Sequence, residues 1–186
     1  MRRIGVLALQ GGFGAHITAL NSAGFEAVEV RDEAALNDVS GLVLPGGEST
    51  TQLKLLARFG LERAVDSFVR SGRPVLATCA GLILAARAVR SPVQRSFGWL
   101  DVAIERNAWG SQSHSFEAKA DDGALALMFI RAPRIVEMGR EVNVLATYAS
   151  EPVLVRQGNV IGTTFHPELT HDTRVLNAAL GSRVLG

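Results

Sequence analysis

The run Val75-Leu76-Ala77-Thr78-Cys79-Ala80-Gly81-Leu82-Ile83 joins a short apolar strand to an apolar helical segment with no loop between them. Gly72-Arg73-Pro74 turns the chain into the strand Val75–Thr78, and Leu82–Val89 reads as the helix that leaves it. Cys79 occupies the junction. A side chain on so tight a strand-to-helix turn is exposed above the sheet edge, and the first N–H groups of the helix point into the same space. Those groups favour a thiolate over a thiol, and the N–H of Ala80 is placed to bond an oxyanion. Ala77, Ala80 and Gly81 are the small neighbours such a crowded turn needs. A lone cysteine without this setting is more often a buried core residue.

Outward from this junction, short apolar runs ended by glycine alternate with segments of helical period, the pattern of a sheet with helices on its faces. Upstream, Ile4–Leu9 reads as a strand, Ala15–Ala23 as a helix closed by Gly24, and Glu26–Val30 as the next strand. Gly41–Leu44 is a further buried strand that ends at Pro45-Gly46-Gly47. Ser49-Thr50-Thr51 can cap a helix running to about Phe59, and Leu61–Arg70 continues as helix. Downstream of about Ser91 the segments Leu100–Glu105, Ser115–Ala118, Leu127–Ile130, Val144–Tyr148, Val153–Arg156 and Val160–Thr164 read as shorter, more often antiparallel strands, and Thr173–Leu180 as the last helix. With no repeat, low-complexity tract or linker, the second half is expected to continue the same sheet within one domain spanning residues 1–186.

The totals agree with a compact enzyme-sized domain. At 186 residues, 47% hydrophobic, 20% charged and net charge +1, the chain can bury a substantial core and is neither disordered in type nor suited to polyanions, so nucleic acid is not an expected partner. Its single cysteine excludes an intrachain disulfide and fits a reduced, cytoplasmic setting. The apolar run after Arg2-Arg3 breaks at Gln10-Gly11-Gly12 without a cleavage signal, so it reads as a core strand rather than a leader. No stretch reaches the roughly 18 apolar residues of a membrane span, and a soluble protein without a membrane partner is expected.

Thr163-Thr164-Phe165-His166-Pro167-Glu168-Leu169 follows a strand, and residues two apart at a strand end project to one side. Glu168 can therefore hold the imidazole of His166 in one tautomer. Cysteine, histidine and carboxylate together form the set used for thiol-based acyl transfer, in which histidine takes the thiol proton and later protonates the leaving amine.

Taken with Gln10-Gly11-Gly12, Pro45-Gly46-Gly47-Glu48-Ser49-Thr50-Thr51, Thr78-Cys79-Ala80-Gly81, Arg106-Asn107-Ala108, Phe129-Ile130-Arg131-Ala132-Pro133 and Phe165-His166-Pro167-Glu168-Leu169, the sequence resembles the glutaminase subunits of pyridoxal 5'-phosphate synthases, within the class I glutamine amidotransferases. The likeness runs from Ile4 to about Thr173. It implies an α/β, three-layer, flavodoxin-like fold with a mixed, mostly parallel central sheet and helices on both faces. It assigns Cys79, His166 and Glu168 as a triad and Gly47, Glu48, Ser49, Arg106, Ile130 and Arg131 as the L-glutamine site, with Gly46, Gly47 and Ala80 as the oxyanion hole. Glutamine carries a carboxylate and an ammonium, so an arginine, Arg106 or Arg131, and Glu48 are the partners its head group needs. The resemblance further implies a (β/α)₈ synthase subunit that receives the ammonia in a hetero-oligomeric complex. It calls for no metal and no bound organic cofactor, pyridoxal phosphate being the product of the whole assembly. It also raises the expectation that a peptide of the Gly46-Gly47 loop switches the oxyanion hole on partner contact.

Two departures stand out: Ala15 precedes His16 where the family has an acidic residue, and His114 precedes Ser115-Phe116 where it has Asp. Neither touches the triad, and both are expected at the synthase interface or the subunit surface, where they bear on partner affinity more than on chemistry. The segment Arg90–Phe97 matches poorly and receives no role. Three other readings compete: a cysteine-elbow α/β hydrolase with another substrate, a regulatory subunit without catalysis, and a metal site built from His166, Glu168 and His171. Glu48, Arg106 and Arg131 speak against the first, the intact triad against the second, and Pro167 in a strand-to-loop setting against the third.

Overall fold

The computed structural model describes residues 1–106 and 115–181; Asn107, Ala108 and His114 lie outside the described residues. Seven strands form the central sheet: β1 (Arg3–Leu7), β2 (Glu26–Val30), β3 (Gly41–Leu44), β4 (Val75–Thr78), β10 (Asn143–Tyr148), β11 (Glu151–Gln157) and β12 (Val160–Thr163). Their order is β10-β11-β12-β4-β3-β1-β2. The five strands from β12 to β2 pair in parallel, and β11 and β10 extend the sheet antiparallel.

Burial explains why these runs are strands. In β3 and β4 every residue is buried, and alternate residues serve opposite faces: Leu42, Leu44, Val75 and Ala77 join one apolar cluster, Val43 and Leu76 the other. Continuous apolar runs of this kind are what a parallel sheet covered on both sides requires. The first cluster is covered by α2 (Glu33–Asn37), α3 (Ser49–Arg58), α4 (Glu62–Arg70) and α5 (Ala80–Ala85), through Leu36, Leu56, Phe68 and Leu82. The second is covered by α1 (Phe13–Ser22) and α6 (Arg174–Leu180), through Leu20, Val175 and Leu176. The three-layer α/β architecture read from the sequence is the one observed.

Downstream of α5 the sequence reading needs correction. The helix expected over Leu82–Val89 ends at Ala85, and Ala86–Arg90 is strand β5, parallel to β6 (Leu100–Glu105). An apolar run this short carries no period that separates helix from strand. The strand is held by its backbone pairing with β6, and Arg87 and Arg90 meet Asp101 and Glu137. Antiparallel β9 (Arg134–Met138), which was not anticipated, completes a three-stranded sheet. β7 (Phe116–Lys119) and β8 (Ala126–Phe129) form a separate ribbon. Only β10 to β12 therefore continue the main sheet, and the expectation that the whole second half does so fails. The short helix α2 also went unread; Asp32 caps it by accepting from Ala35 N–H at 2.8 Å.

The topology fixes where a site can form. From β1 the chain crosses to β2 on one side and returns to β3 on the other, and crevices open at the carboxyl ends of strands where the winding reverses. The segments after β1, β3, β4 and β12 are Gln10-Gly11-Gly12, Pro45-Gly46-Gly47, Cys79 and His166.

The close approach of α5 to β3 requires a glycine. A Cβ on Gly81 would lie 2.2 Å from the Leu44 carbonyl oxygen, a backbone atom that cannot move aside, whereas one on Gly14, in α1, would meet nothing within 4 Å. Gly81→Ala should cost about 1–3 kcal/mol in urea unfolding, as overpacking does, while Gly14→Ala should be neutral or stabilising by up to about 1 kcal/mol.

Candidate active site

Cys79 sits between β4 and α5 with φ 50 and ψ −100, outside the usual regions for a residue with a side chain. Such a conformation costs of the order of 1–3 kcal/mol and persists only where its surroundings enforce it. Here Cys79 N–H donates to Thr163 O at 2.8 Å, and Ile83 N–H donates to Cys79 O at 3.1 Å, so sheet and helix both grip the residue. Contrary to the exposed position expected, Cys79 is buried at 7% exposure on a cavity wall, and its Sγ lies 4.0 Å from the Ile130 carbonyl oxygen.

His166 follows β12, and its N–H donates to Met128 O at 2.8 Å, which ties it to β8. The flanking Phe165 meets Phe129 edge-on at 6.2 Å between ring centroids, and Phe129 stacks on Phe116 at 4.8 Å. After His166 the chain turns through a 3₁₀ segment, Pro167–Leu169, whose turn is closed by Leu169 N–H to His166 O at 3.3 Å. That turn carries Glu168 back under the imidazole, with Nδ1 2.7 Å from Glu168 Oε1. The expected pairing is present, but the strand-end alternation expected to produce it is not: β12 ends at Thr163, and Glu168 arrives by the 3₁₀ turn.

The charges are buried. Burial opposes a charged His166, but hydrogen bonds and charges from Cys79 and Glu168 outweigh it and raise the ring to about 10. Glu168 is likewise penalised by burial, yet the hydrogen bond and charge of His166 hold its carboxyl below the usual range. The arrangement favours an imidazolium beside an ionised carboxylate, with the Cys79 sulfur next in line.

One cavity of about 270 Å³ collects Gly46, Gly47, Glu48, Ser49, Cys79, Arg106, Ile130, Arg131, His166 and Glu168 on its wall. Of the residues assigned to the triad, the glutamine site and the oxyanion hole, Ala80 alone is not part of that wall; it is the fully buried first residue of α5. Ala15, one of the two departures, lines the same cavity, which corrects the expectation that it lies at the subunit surface or interface away from the site. Arg131 is exposed and has φ 43, a second strained residue at the site.

The loop after β3 differs in detail from expectation. Glu48, not the Ser-Thr-Thr run, caps α3: its Oε2 accepts from Thr51 N–H at 2.9 Å and from Thr51 Oγ1 at 3.2 Å. A carboxylate at a helix N-terminus is favourable. Its other oxygen, Oε1, receives Arg106 Nη2 at 2.9 Å. These partners overcome the effect of burial and hold the Glu48 carboxyl below its ordinary range. Gly46 O accepts from Gly12 N–H at 3.0 Å, and Gln10 Oε1 accepts from Glu48 N–H at 3.0 Å.

Three further residues shape the site. Gln94, in the segment given no role, accepts from Ser49 Oγ at 3.0 Å, Thr50 Oγ1 at 3.2 Å and Arg106 Nη1 at 2.9 Å. Gln52, 1% exposed, donates to Gln10 O at 3.1 Å and Pro45 O at 3.2 Å and so pins two loops together. His16 is 0% exposed, with Nε2 3.4 Å from Glu168 Oε2. No local pattern marks Gln94 or Gln52; His16 was visible only as a helical residue. No group of three or more His, Cys, Asp or Glu among the described residues is arranged to hold a metal ion.

The architecture is that of the class I glutamine amidotransferases. The crystal structure of a glutamine amidotransferase superposes with a TM-score of 0.88 at 44% identity, covering 95% of this chain and 96% of that one. The structure of PurLQS from Thermotoga maritima shares the fold at a TM-score of 0.67 and 20% identity. The chain belongs to the SNO glutamine amidotransferase family, whose sequence model matches residues 6–181. Among its relatives, the pyridoxal 5'-phosphate synthase subunit PdxT of Solibacter usitatus is 49% identical over 185 residues, 94% of this chain and 96% of that one. That of Thermotoga maritima is 45% identical over 178 residues, 93% and 95% of the two chains.

His16 gives the site a measurable pH signature. Burial pushes its ring down to about 4, with Glu168 acting to raise it and His166 to lower it. Unfolding returns it to about 6.5, so the unfolded chain binds the extra proton between those values and stability falls as pH drops through them. His16→Met should remove of the order of 3 kcal/mol of the acid-side loss between pH 7 and 4, read as the difference between the two chains' urea stability profiles. Parallel profiles would show that His16 is not held neutral.

Proposed function

We propose that this chain is the glutaminase subunit of a pyridoxal 5'-phosphate synthase, acting as one domain in the cytoplasm and delivering ammonia to a (β/α)₈ synthase subunit. The observation that carries the reading is the cavity wall on which the Cys79, His166 and Glu168 alignment stands beside acidic Glu48 and basic Arg131. An amino acid with an amide side chain offers what each of them needs.

In this reading the Cys79 thiolate attacks the side-chain amide carbon of L-glutamine. The oxyanion is received by Ala80 N–H and the Gly46-Gly47 loop. Collapse breaks the C–N bond as His166, charged by the thiol proton, protonates the leaving nitrogen, and ammonia departs. A water molecule, deprotonated by the now neutral His166, then attacks the thioester and releases glutamate. Glu168 holds the ring so that its second nitrogen serves both steps. Glu48 receives the substrate ammonium, with Ser49, Gly47 and Ile130 bounding the head group. Arg106 is already bonded to Glu48 and Gln94, so Arg131, the more exposed guanidinium, is the one assigned to the carboxylate.

Ammonia released into water is lost, which gives a reason for the site to respond to its partner. The Gly46 carbonyl is held by Gly12 N–H. Turning that peptide gives up one hydrogen bond of about 1 kcal/mol net, well within what a docking partner supplies.

Ammonia release from glutamine should be detectable with the purified chain and should rise on adding a pyridoxal phosphate synthase subunit. Cys79→Ala should lower it about 10³-fold or more in both conditions. Glutamine left intact by wild type with and without the synthase, while Cys79 still reacts with iodoacetamide, would overturn the substrate assignment and leave the elbow standing.

A further inference from the structure

Glu168 has two carboxylate oxygens, and the reaction proposed above uses only one. Oε1 meets His166 Nδ1 at 2.7 Å. Oε2 is fully buried and has no closer partner among the described residues than His16 Nε2, at 3.4 Å, the long end of hydrogen-bond range. Both ring nitrogens of His16 are buried and otherwise without partners. A buried carboxylate oxygen left without a donor is costly, and so is a buried imidazole N–H left without an acceptor. The two orphans face each other. A neutral ring carries one N–H, and only the tautomer with the proton on Nε2 satisfies both.

We infer that His16 is a positioning residue for the triad: its Nε2–H donates to Glu168 Oε2 and fixes the carboxylate rotation that presents Oε1 to His166. The alignment then contains four members, His16, Glu168, His166 and Cys79, drawn from α1, the 3₁₀ turn, the end of β12 and the β4–α5 junction. His16 and His166 are the titratable groups that bear on Glu168. A neutral donor suits this place, because a second cation beside Glu168 would compete with imidazolium His166 for the same negative charge. The reach of α1 matters too: its N-terminus hangs from Gly12, whose N–H holds Gly46 O, while His16 N–H donates to Gly12 O at 3.3 Å. The helix that steadies Glu168 is thereby joined to the loop proposed as the oxyanion hole.

The inference rests on the triad assignment but not on glutamine being the substrate, so its test includes a reading that needs neither glutamine nor partner. Cys79 alkylation by iodoacetamide would be followed against pH, and kcat and KM for glutamine measured with the synthase, for wild type, His16→Met and His16→Gln. The Gln side chain can place an amide N–H near the position of Nε2; Met fills similar space without a donor. In His16→Met the carboxylate loses its fixed partner, the imidazolium is less well supported, and the half-point of alkylation should move to higher pH. The same variant should lose about tenfold or more in kcat with KM within about twofold, and His16→Gln should recover most of both. In a Glu168→Ala background His16→Met should shift alkylation no further, which keeps the test decisive if either single variant is poorly folded. Equal losses for Met and Gln that follow a common drop in Tm, or an undiminished shift without Glu168, would overturn the proposal. A shift in alkylation in a protein that leaves glutamine untouched would uphold the positioning role and reject the substrate.

Discussion

A cysteine held at φ 50 between a strand and a helix, with no loop to absorb the turn, is the constraint on which the rest of this molecule depends. Three features keep it there. The Cys79 amide is bound by the neighbouring strand through Thr163 O, α5 begins at once with Ala80, and Gly81 lets that helix lie against the Leu44 carbonyl. Each would be a defect elsewhere: a positive φ on a residue with a side chain, a helix of only six residues, a glycine inside it. Together they aim the thiol into the crevice where the sheet winding reverses, and β1, β3 and β12 deliver their own carboxyl-terminal loops to the same place.

The second constraint is electrostatic. His166 and Glu168 are each 8% exposed, so neither could carry a charge there alone. Their pairing at 2.7 Å makes the burial tolerable and, together with Cys79, raises the imidazole to about 10. Stability and reactivity thus have one origin: the interaction that keeps a buried carboxylate satisfied also keeps an imidazolium available beside the thiol. His16 extends the logic inward by supplying a neutral donor where a third charge would have been harmful.

The sequence disclosed these features unevenly, for physical reasons. β3 and β4 were legible because both of their faces are buried and every residue is apolar, and the Cys79 junction because nothing separates strand from helix. His166 and Glu168 were legible as a pair from their closeness in sequence after a strand, although a 3₁₀ turn and not strand alternation brings them together. The division after Ala85 was not, since Leu82 to Val89 is apolar apart from Arg87 and only the pairing with β6, distant in sequence from the helix, makes Ala86–Arg90 a strand. The cap of α3 was misread for a related reason: Ser49 and Thr50 are good capping residues, but Gln94 engages their hydroxyls, and Glu48 takes the cap. Gln94 itself comes from a turn after β5 with no period to read, and its importance appears only when β5 and β6 bring it over α3.

The two halves of the site differ in what fixes them. Cys79 and His166 are anchored by backbone bonds to β12 and β8, and an aromatic cluster of Phe116, Phe129 and Phe165 packs behind the histidine. Moving either residue means disturbing the sheet. The glycine loop and Glu48 are instead held largely by side chains: Gln10 on the Glu48 amide, Gln52 on Pro45 O, Arg106 on the Glu48 carboxylate and Gln94 on Arg106. Such bonds are worth about 1 kcal/mol each net, more where a charge is involved. A partner or ligand supplying a few kcal/mol can therefore rearrange the loop while leaving the thiol and imidazole where they are. The chemical half of the site is set by folding, and the receiving half is left within reach of binding energy, which is the division a glutaminase answering to a second subunit requires.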